Sequence, residues 1–142
     1  MVNSIPYQLN KRTTIFKECP SKFIFPDSVN ITVISNATLT PDPVKSNETV
    51  TVTGSATIQI NMTGDEVFTF IFYDSNLNYI EGGGGEVKLF FSDCPTNYYP
   101  INLTTNAFFF LPSNYSIVLA ITGNKVFFVV TEACGFASDL SS

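Results

Sequence analysis

Apolar residues recur along this chain with a period of two, interrupted at short intervals by clusters of Gly, Pro, Asn and Asp. The segments "VNITVIS" (29–35), "ETVTVTGSATIQINM" (48–62), "EVFTFIFYD" (66–74), "EVKLFF" (86–91), "NAFFFLP" (106–112), "YSIVLAIT" (115–122) and "KVFFVVTEA" (125–133) are rich in β-branched and aromatic residues. That is the composition of half-buried strands. Turn signals separate them at Pro41-Asp42-Pro43, Thr63-Gly64-Asp65, Gly82 to Gly85, Asp93-Cys94-Pro95, Pro112-Ser113-Asn114 and Thr122-Gly123-Asn124. No segment sustains a helical period. Seven short strands at these intervals predict an all-β, immunoglobulin-like, two-sheet antiparallel β-sandwich.

Alternation also predicts which side chains face inward, because successive residues of a strand point to opposite faces. Asn30 and Asn36 share one phase, which turns Ile31 and Val33 inward if the asparagines face solvent. Asn61 outward places Val50, Val52, Ile58 and Ile60 inside. Phe68, Phe70 and Phe72 form one stripe of "VFTFIFY", and Tyr115, Ile117, Leu119 and Ile121 form another. Lys88 outward leaves Val87, Leu89 and Phe91 inside, and Lys125 outward leaves Val126, Phe128 and Val130 inside. Within "NAFFFLP", Phe108 and Phe110 share the inner face and Phe109 takes the other.

Composition narrows the classes of function. The chain has 142 residues, enough for one domain with a genuine core, and it is read as a single domain over 1–142 with residues 1–15 a loosely ordered N-terminal extension. Apolar residues make up 44%, which excludes a disordered chain. With a net charge of −5 and no cluster of Lys or Arg, nucleic acid is not expected as a partner. No apolar run approaches the ~20 residues of a membrane helix. Residues 1–20 contain no uninterrupted apolar h-region, so no signal peptide is expected among them.

Six asparagines lie in N-x-S/T sequons: Asn30, Asn36, Asn47, Asn61, Asn102 and Asn114. At this content of Asn, Ser and Thr, chance would supply roughly two or three. The excess points to a glycoprotein of a secreted or endolysosomal (vacuolar) lumenal compartment; the alternative is that a Thr-rich β-protein collects such triplets. Cys19, Cys94 and Cys134 are too dispersed for a zinc site and allow one disulfide with one thiol left over. The spacing does not choose among the three pairings.

Catalysis finds little support. The chain has no His, the usual base for a Ser or Cys nucleophile. Asp65, Glu66, Glu81, Glu86 and Asp93 sit in or beside turns, where solvated carboxylates are the default. The glycine run 82–85 is not followed by the Lys-Ser/Thr of a phosphate loop and reads as a mobile connection near the mouth of a cavity. No cofactor, metal or enzymatic activity is expected.

"FKEC" (16–19), then "TLTPDPVKSNETVTVTGSATIQI" (38–60), "DCPTNYYPI" (93–101), "LPSNYSIVLAITGNKVFF" (111–128) and Cys134 resemble, in order and spacing, the ML lipid-recognition domain family. The likeness spans about Phe16 to Phe136. It includes the strand that follows a Cys-Pro pair in that family. The resemblance implies a sandwich with an apolar cavity between its sheets, holding a sterol, phospholipid or fatty acid. It also implies a Cys19–Cys134 disulfide. Cys94 then lacks the upstream partner the family supplies, and is either a buried thiol or a link between two copies of an otherwise monomeric protein.

The expected lining of that cavity is Val52, Ile58, Ile60, Phe68, Phe70, Phe72, Phe91, Phe108, Phe110, Tyr115, Ile117, Leu119, Ile121 and Phe128. Delivery would require transient contact with a membrane or receptor. An empty slot of about 300 Å³ would cost on the order of 7 kcal/mol. A closed core of the same residues is the competing expectation, and it would fit a secreted immunoglobulin-like adhesion or recognition domain.

Overall fold

The computed structural model describes residues 13–88, 96–107, 110–124 and 129–140, with no account of the Ile60 side chain. Among the described residues eight strands run in chain order: β1 (Thr32–Val33), β2 (Thr38–Thr40), β3 (Thr49–Met62), β4 (Glu66–Tyr73), β5 (Gly85–Lys88), β6 (Thr96–Asn106), β7 (Tyr115–Asn124) and β8 (Val129–Leu140). They form a five-stranded sheet in the order β1-β8-β7-β4-β5 and a three-stranded sheet in the order β2-β3-β6. Packed face to face, the two make an all-β sandwich. Pairing is antiparallel except at one edge, where β1 runs parallel to β8. Among the described residues no helix is long and apolar enough to cross a membrane.

Alternation builds the core. Val50, Val52, Ile58 and Met62 of β3 and Tyr99 and Ile101 of β6 are buried against Phe68, Phe70 and Phe72 of β4 and Ile117, Leu119 and Ile121 of β7. β4 alternates strictly between buried and half-buried positions, as its sequence predicts. Rings meet across the gap between sheets, where Phe68 and Tyr99 have centroids 6.0 Å apart, and along β4, where Phe70 and Phe72 stand edge-on at 5.1 Å.

Several boundaries differ from the pattern reading. The strand that pairs with β3 over most of its length is β6, "TNYYPINLTTN", rather than "NAFFFLP". Asn106 ends it, and Ala107 N–H turns aside to the Glu48 carbonyl (2.9 Å). β7 continues through Gly123 and Asn124, where a turn is expected from the sequence. β8 extends seven residues past the expected burst, pairing with β7 from Asn124↔Val129 back to Tyr115↔Leu140. Near Asn30 the phase argument fails, because β1 is only two residues long and Asn30 itself has φ 53°. Val33 is 42% exposed, and Ile34 takes the buried place.

The Gly run forms a turn with positive φ at Gly82 and Gly84, and Gly84 lies so close to the Phe70 carbonyl that any Cβ there would collide with it. Of the expected N-terminal extension, Thr14 is fixed, donating through its N–H (2.7 Å) and hydroxyl (2.6 Å) to the Asp42 carboxylate. Leu89, Phe91, Phe108, Val126, Phe128 and Cys94 lie outside the described residues.

Candidate functional site

Among the described residues, the side chains between the sheets pack against one another. A void wide enough for a water molecule would leave accessible surface on the residues bordering it. Val52, Phe68, Phe70, Phe72, Ile117, Leu119 and Ile121 have 0% exposure, Tyr115 has 1% and Ile58 has 2%. The stripes are thus inward as the sequence predicts, yet these nine residues pack on one another and on Tyr99, Ile101 and Met62 instead of lining a slot. Phe110 is a correction: it is 79% exposed. The chain has left β6 by then, strand alternation no longer applies, and Leu111 turns inward in its place, its N–H bonded to Ser46 Oγ (2.9 Å).

A cavity lies elsewhere, on the outer face of the five-stranded sheet. There, register aligns Ile71, Val118 and Phe136 in one row and Thr69, Ala120 and Cys134 in the next. The segment 16–28 crosses these rows as a strap. One end is fixed by the Cys19–Cys134 disulfide and by paired backbone bonds between Lys17 and Phe136 (2.9 and 2.8 Å). The other end is tied to β8: Phe25 N–H donates to Thr131 Oγ1 (3.1 Å), and Thr131 N–H donates to Ser28 Oγ (2.7 Å). Between these points a 3₁₀ turn at Ser21–Phe23 lifts the chain off the sheet.

The resulting cavity has a volume of about 540 Å³. Its roof is Phe23, Ile24, Phe25 and Pro26; its floor is Thr69, Ile71 and Tyr73 of β4 with Val118, Ala120 and Thr122 of β7. The floor dips where the side chains are short, at Thr69, Ala120 and Thr122. At one end it is walled by aromatic rings, with Phe23 4.5 Å from Tyr73 and stacked at 5.7 Å on Phe136. Among the described residues Lys22 is the single charged side chain of the lining, and its Nζ donates to the Leu77 carbonyl (2.5 Å). Burial, reinforced by neighbouring Tyr79, raises the Tyr73 pKa above its usual 10, so its hydroxyl stays protonated and able to donate at neutral pH.

Phe23, Ile71, Tyr73, Val118 and Ala120 were not among the residues expected to line a site. The signal for them is present in "YSIVLAIT", which is apolar in both phases and therefore reads as a strand covered on both faces. Glu66 also departs from expectation. It is 1% exposed, and its Oε1 accepts from Thr63 and Gly64 N–H (3.0 Å each), bracing the β3–β4 turn. Asp65, Glu81 and Glu86 are exposed.

All six sequon asparagines are exposed. Asn61 and Asn102 stand on β3 and β6 of the three-stranded sheet, and Asn36 Nδ2 donates to Ser55 Oγ (3.0 Å) beside them. No sequon asparagine falls within β4, β7 or β8. Comparison of the chain with protein-family models gives no match, and comparison with curated protein sequences gives no significant one.

Proposed function

We propose that this is a non-enzymatic lipid-binding and transfer protein of a secreted or lumenal compartment, and that its ligand lies beneath the strap. The observation that carries this reading is the 540 Å³ space, roofed and floored mostly by apolar side chains and lying within the ~300–1,000 Å³ typical of small-molecule sites. A sterol or one acyl chain of a fatty acid or phospholipid suits that size. Burial of each methylene is worth about 0.8 kcal/mol, so a chain taken up here competes with a membrane. Three of the sequons, at Asn36, Asn61 and Asn102, lie on or beside the three-stranded sheet, and glycans there would leave the strap face open to a membrane or receptor, whereas Asn30 follows the strap and Asn114 precedes β7. The resemblance to the ML family supports lipid as the ligand class but places it between the sheets.

A second reading, a recognition or adhesion domain acting through its glycosylated surface, is favoured by the filled inter-sheet core. Native mass spectrometry of the purified chain, followed by organic extraction, separates the two. Mass in excess of the polypeptide that is recovered as lipid is expected. A chain that carries no lipid, and takes up none from sterol, phospholipid or fatty-acid vesicles, would leave the recognition reading.

A further inference from the structure

We infer that the cavity beneath the strap takes a single-chain amphiphile with an anionic head, and that Lys22 is the head-group anchor. This rests on the lipid-binding reading and goes further by naming the ligand's polarity and which end of the cavity holds its head.

The anchor is built into the fold. Lys22 follows the first residue of the 3₁₀ turn, and its Nζ reaches the Leu77 carbonyl at 2.5 Å. Leu77 belongs to a tight turn that closes on itself: Asp74 Oδ1 accepts from Asn76 and Asn78 N–H (2.9 Å each), and the Asp74 carbonyl accepts from Leu77 N–H (2.9 Å). Leu77 sits there at φ 62°, and its carbonyl accepts from the strap through Lys22. The ammonium is thereby held at the cavity rim, 5.9 Å from the Phe23 ring centroid. An ammonium has three donors, and the Leu77 carbonyl uses one of them. Two remain for a carboxylate, sulfate or phosphate oxygen.

Charge makes the position selective. The chain carries only 7 Lys and Arg against 12 Asp and Glu, so the general field disfavours anions. Among the described residues, the one charged group lining the apolar space is nevertheless a cation. Asp74, the nearest acid in its turn, already directs Oδ1 to two backbone amides. The Tyr73 hydroxyl lies at the same aromatic end as a further donor. Away from that end the floor descends to Thr69, Ala120 and Thr122, which leaves length for a chain but, at 540 Å³ in all, room for one ligand tail rather than a bulky head and two tails.

The test compares dodecanoate with methyl dodecanoate, using the full chain stripped of lipid and isothermal titration or displacement of a fluorescent fatty acid. The wild type should bind the acid about tenfold more tightly than the ester, as a charge-assisted hydrogen bond implies. Lys22→Met, at an exposed position, should erase that preference by bringing the affinity for the acid down to that for the ester, and Lys22→Arg should keep it. Equal affinity for acid and ester in the wild type, or a preference that survives in Lys22→Met, overturns the anchor. If both ligands still bind and Ala120→Trp blocks both, the lipid-binding reading stands without the anchor. If neither binds the wild type, both fall.

Discussion

Leu119 and Ala120 are consecutive in β7, and their side chains enter different layers of the molecule. Leu119 is fully buried between the sheets, whereas Ala120 forms part of the cavity floor beneath the strap. Tryptophan placed at each position in turn therefore asks where a lipid resides. At Leu119 the indole meets Phe70 across the strand pair in a core with no accessible surface. Overpacking of this kind costs about 1–3 kcal/mol. For a domain of this size that lowers the melting temperature by roughly 4–12 °C. Binding under the strap should change little in the molecules that remain folded. Ala120 is 6% exposed and packs with Val118 and the Cys19–Cys134 pair, so an indole there also carries an overpacking cost of about 1–3 kcal/mol, but it occupies the cavity floor and affinity should fall at least tenfold, about 1.4 kcal/mol. Thermal melts of delipidated protein and a fluorescent fatty-acid or sterol binding assay read both quantities. The opposite pattern, with Ala120→Trp binding normally and Leu119→Trp losing ligand without loss of stability, would refute the strap site and place the lipid between the sheets.

Other consequences can be checked independently. Gly135→Ala should destabilise by about 1–3 kcal/mol in a denaturant titration, because a Cβ there would strike the Ile34 carbonyl and lie 3.1 Å from the Ile34 Cβ. Cys19→Ser removes a bridge spanning 115 residues and should cost about 4–5 kcal/mol by chain entropy, together with loss of ligand as the strap lifts. Non-reducing peptide mapping should find Cys19 joined to Cys134 and Cys94 as a thiol; a bridge through Cys94 within the chain would contradict this. Expression through a eukaryotic secretory pathway should add glycans to some of the six exposed sequons, and an intact mass equal to the bare polypeptide would remove the argument for that compartment. Burial pushes the Tyr99 and Tyr115 hydroxyls up to about 12 from the ordinary 10. Above pH 10 the unfolded chain therefore releases protons that the folded chain retains at these two positions, so stability should fall between pH 10 and 12, and the phenolate absorbance lost in a Tyr99→Phe, Tyr115→Phe variant should be the part that rises together with unfolding.

How much of this was legible depends on how strongly each segment's side chains declare one face. β3, β4 and β7 were readable because Val52, Phe68, Phe70, Phe72, Ile117 and Leu119 belong to apolar stripes that recur at every second residue, although in β4 and β7 the intervening positions include Ile71, Val118 and Ala120. β6 escaped the pattern because its inward residues, Tyr99, Ile101 and Leu103, are spread among Pro100, Asn102 and two threonines; the proline is tolerated at the edge of the three-stranded sheet. Only the likeness to a family with a strand after a Cys-Pro pair pointed there. "NAFFFLP" misled in the other direction, since aromatic density marks β-propensity but not hydrogen-bond partners, and the ladder with β3 ends at Thr49↔Asn106. The second half of β8, "ACGFASDL", is made of small and acidic residues whose strand conformation is imposed by pairing with β7. The Cys19–Cys134 bond was implied by resemblance, whereas cysteine spacing alone left three pairings open.

The location of the cavity follows from which gap can tolerate emptiness. Enclosed between the sheets, a void of 540 Å³ would cost on the order of 13 kcal/mol, as much as the whole stability of a typical domain. The inner layer answers with bulky side chains from two opposed sheets, and Phe68, Phe70, Phe72 and Tyr99 close it. The outer layer has only a single strand of chain above the sheet. Between the disulfide at Cys19 and the Thr131 tie, Phe23 and Ile24 are the main side chains available to fill it, and below them the floor is Thr69, Ala120 and Thr122. Its border includes exposed Lys22 and Phe25, the latter 44% accessible, so solvent reaches the space and the penalty of a sealed void does not apply. An apolar site that can stand empty and then admit a ligand is thus physically easier to maintain beneath the strap than between the sheets. The same alternation that makes β7 a core strand on one face, continued through Val118 and Ala120 on the other, supplies its floor.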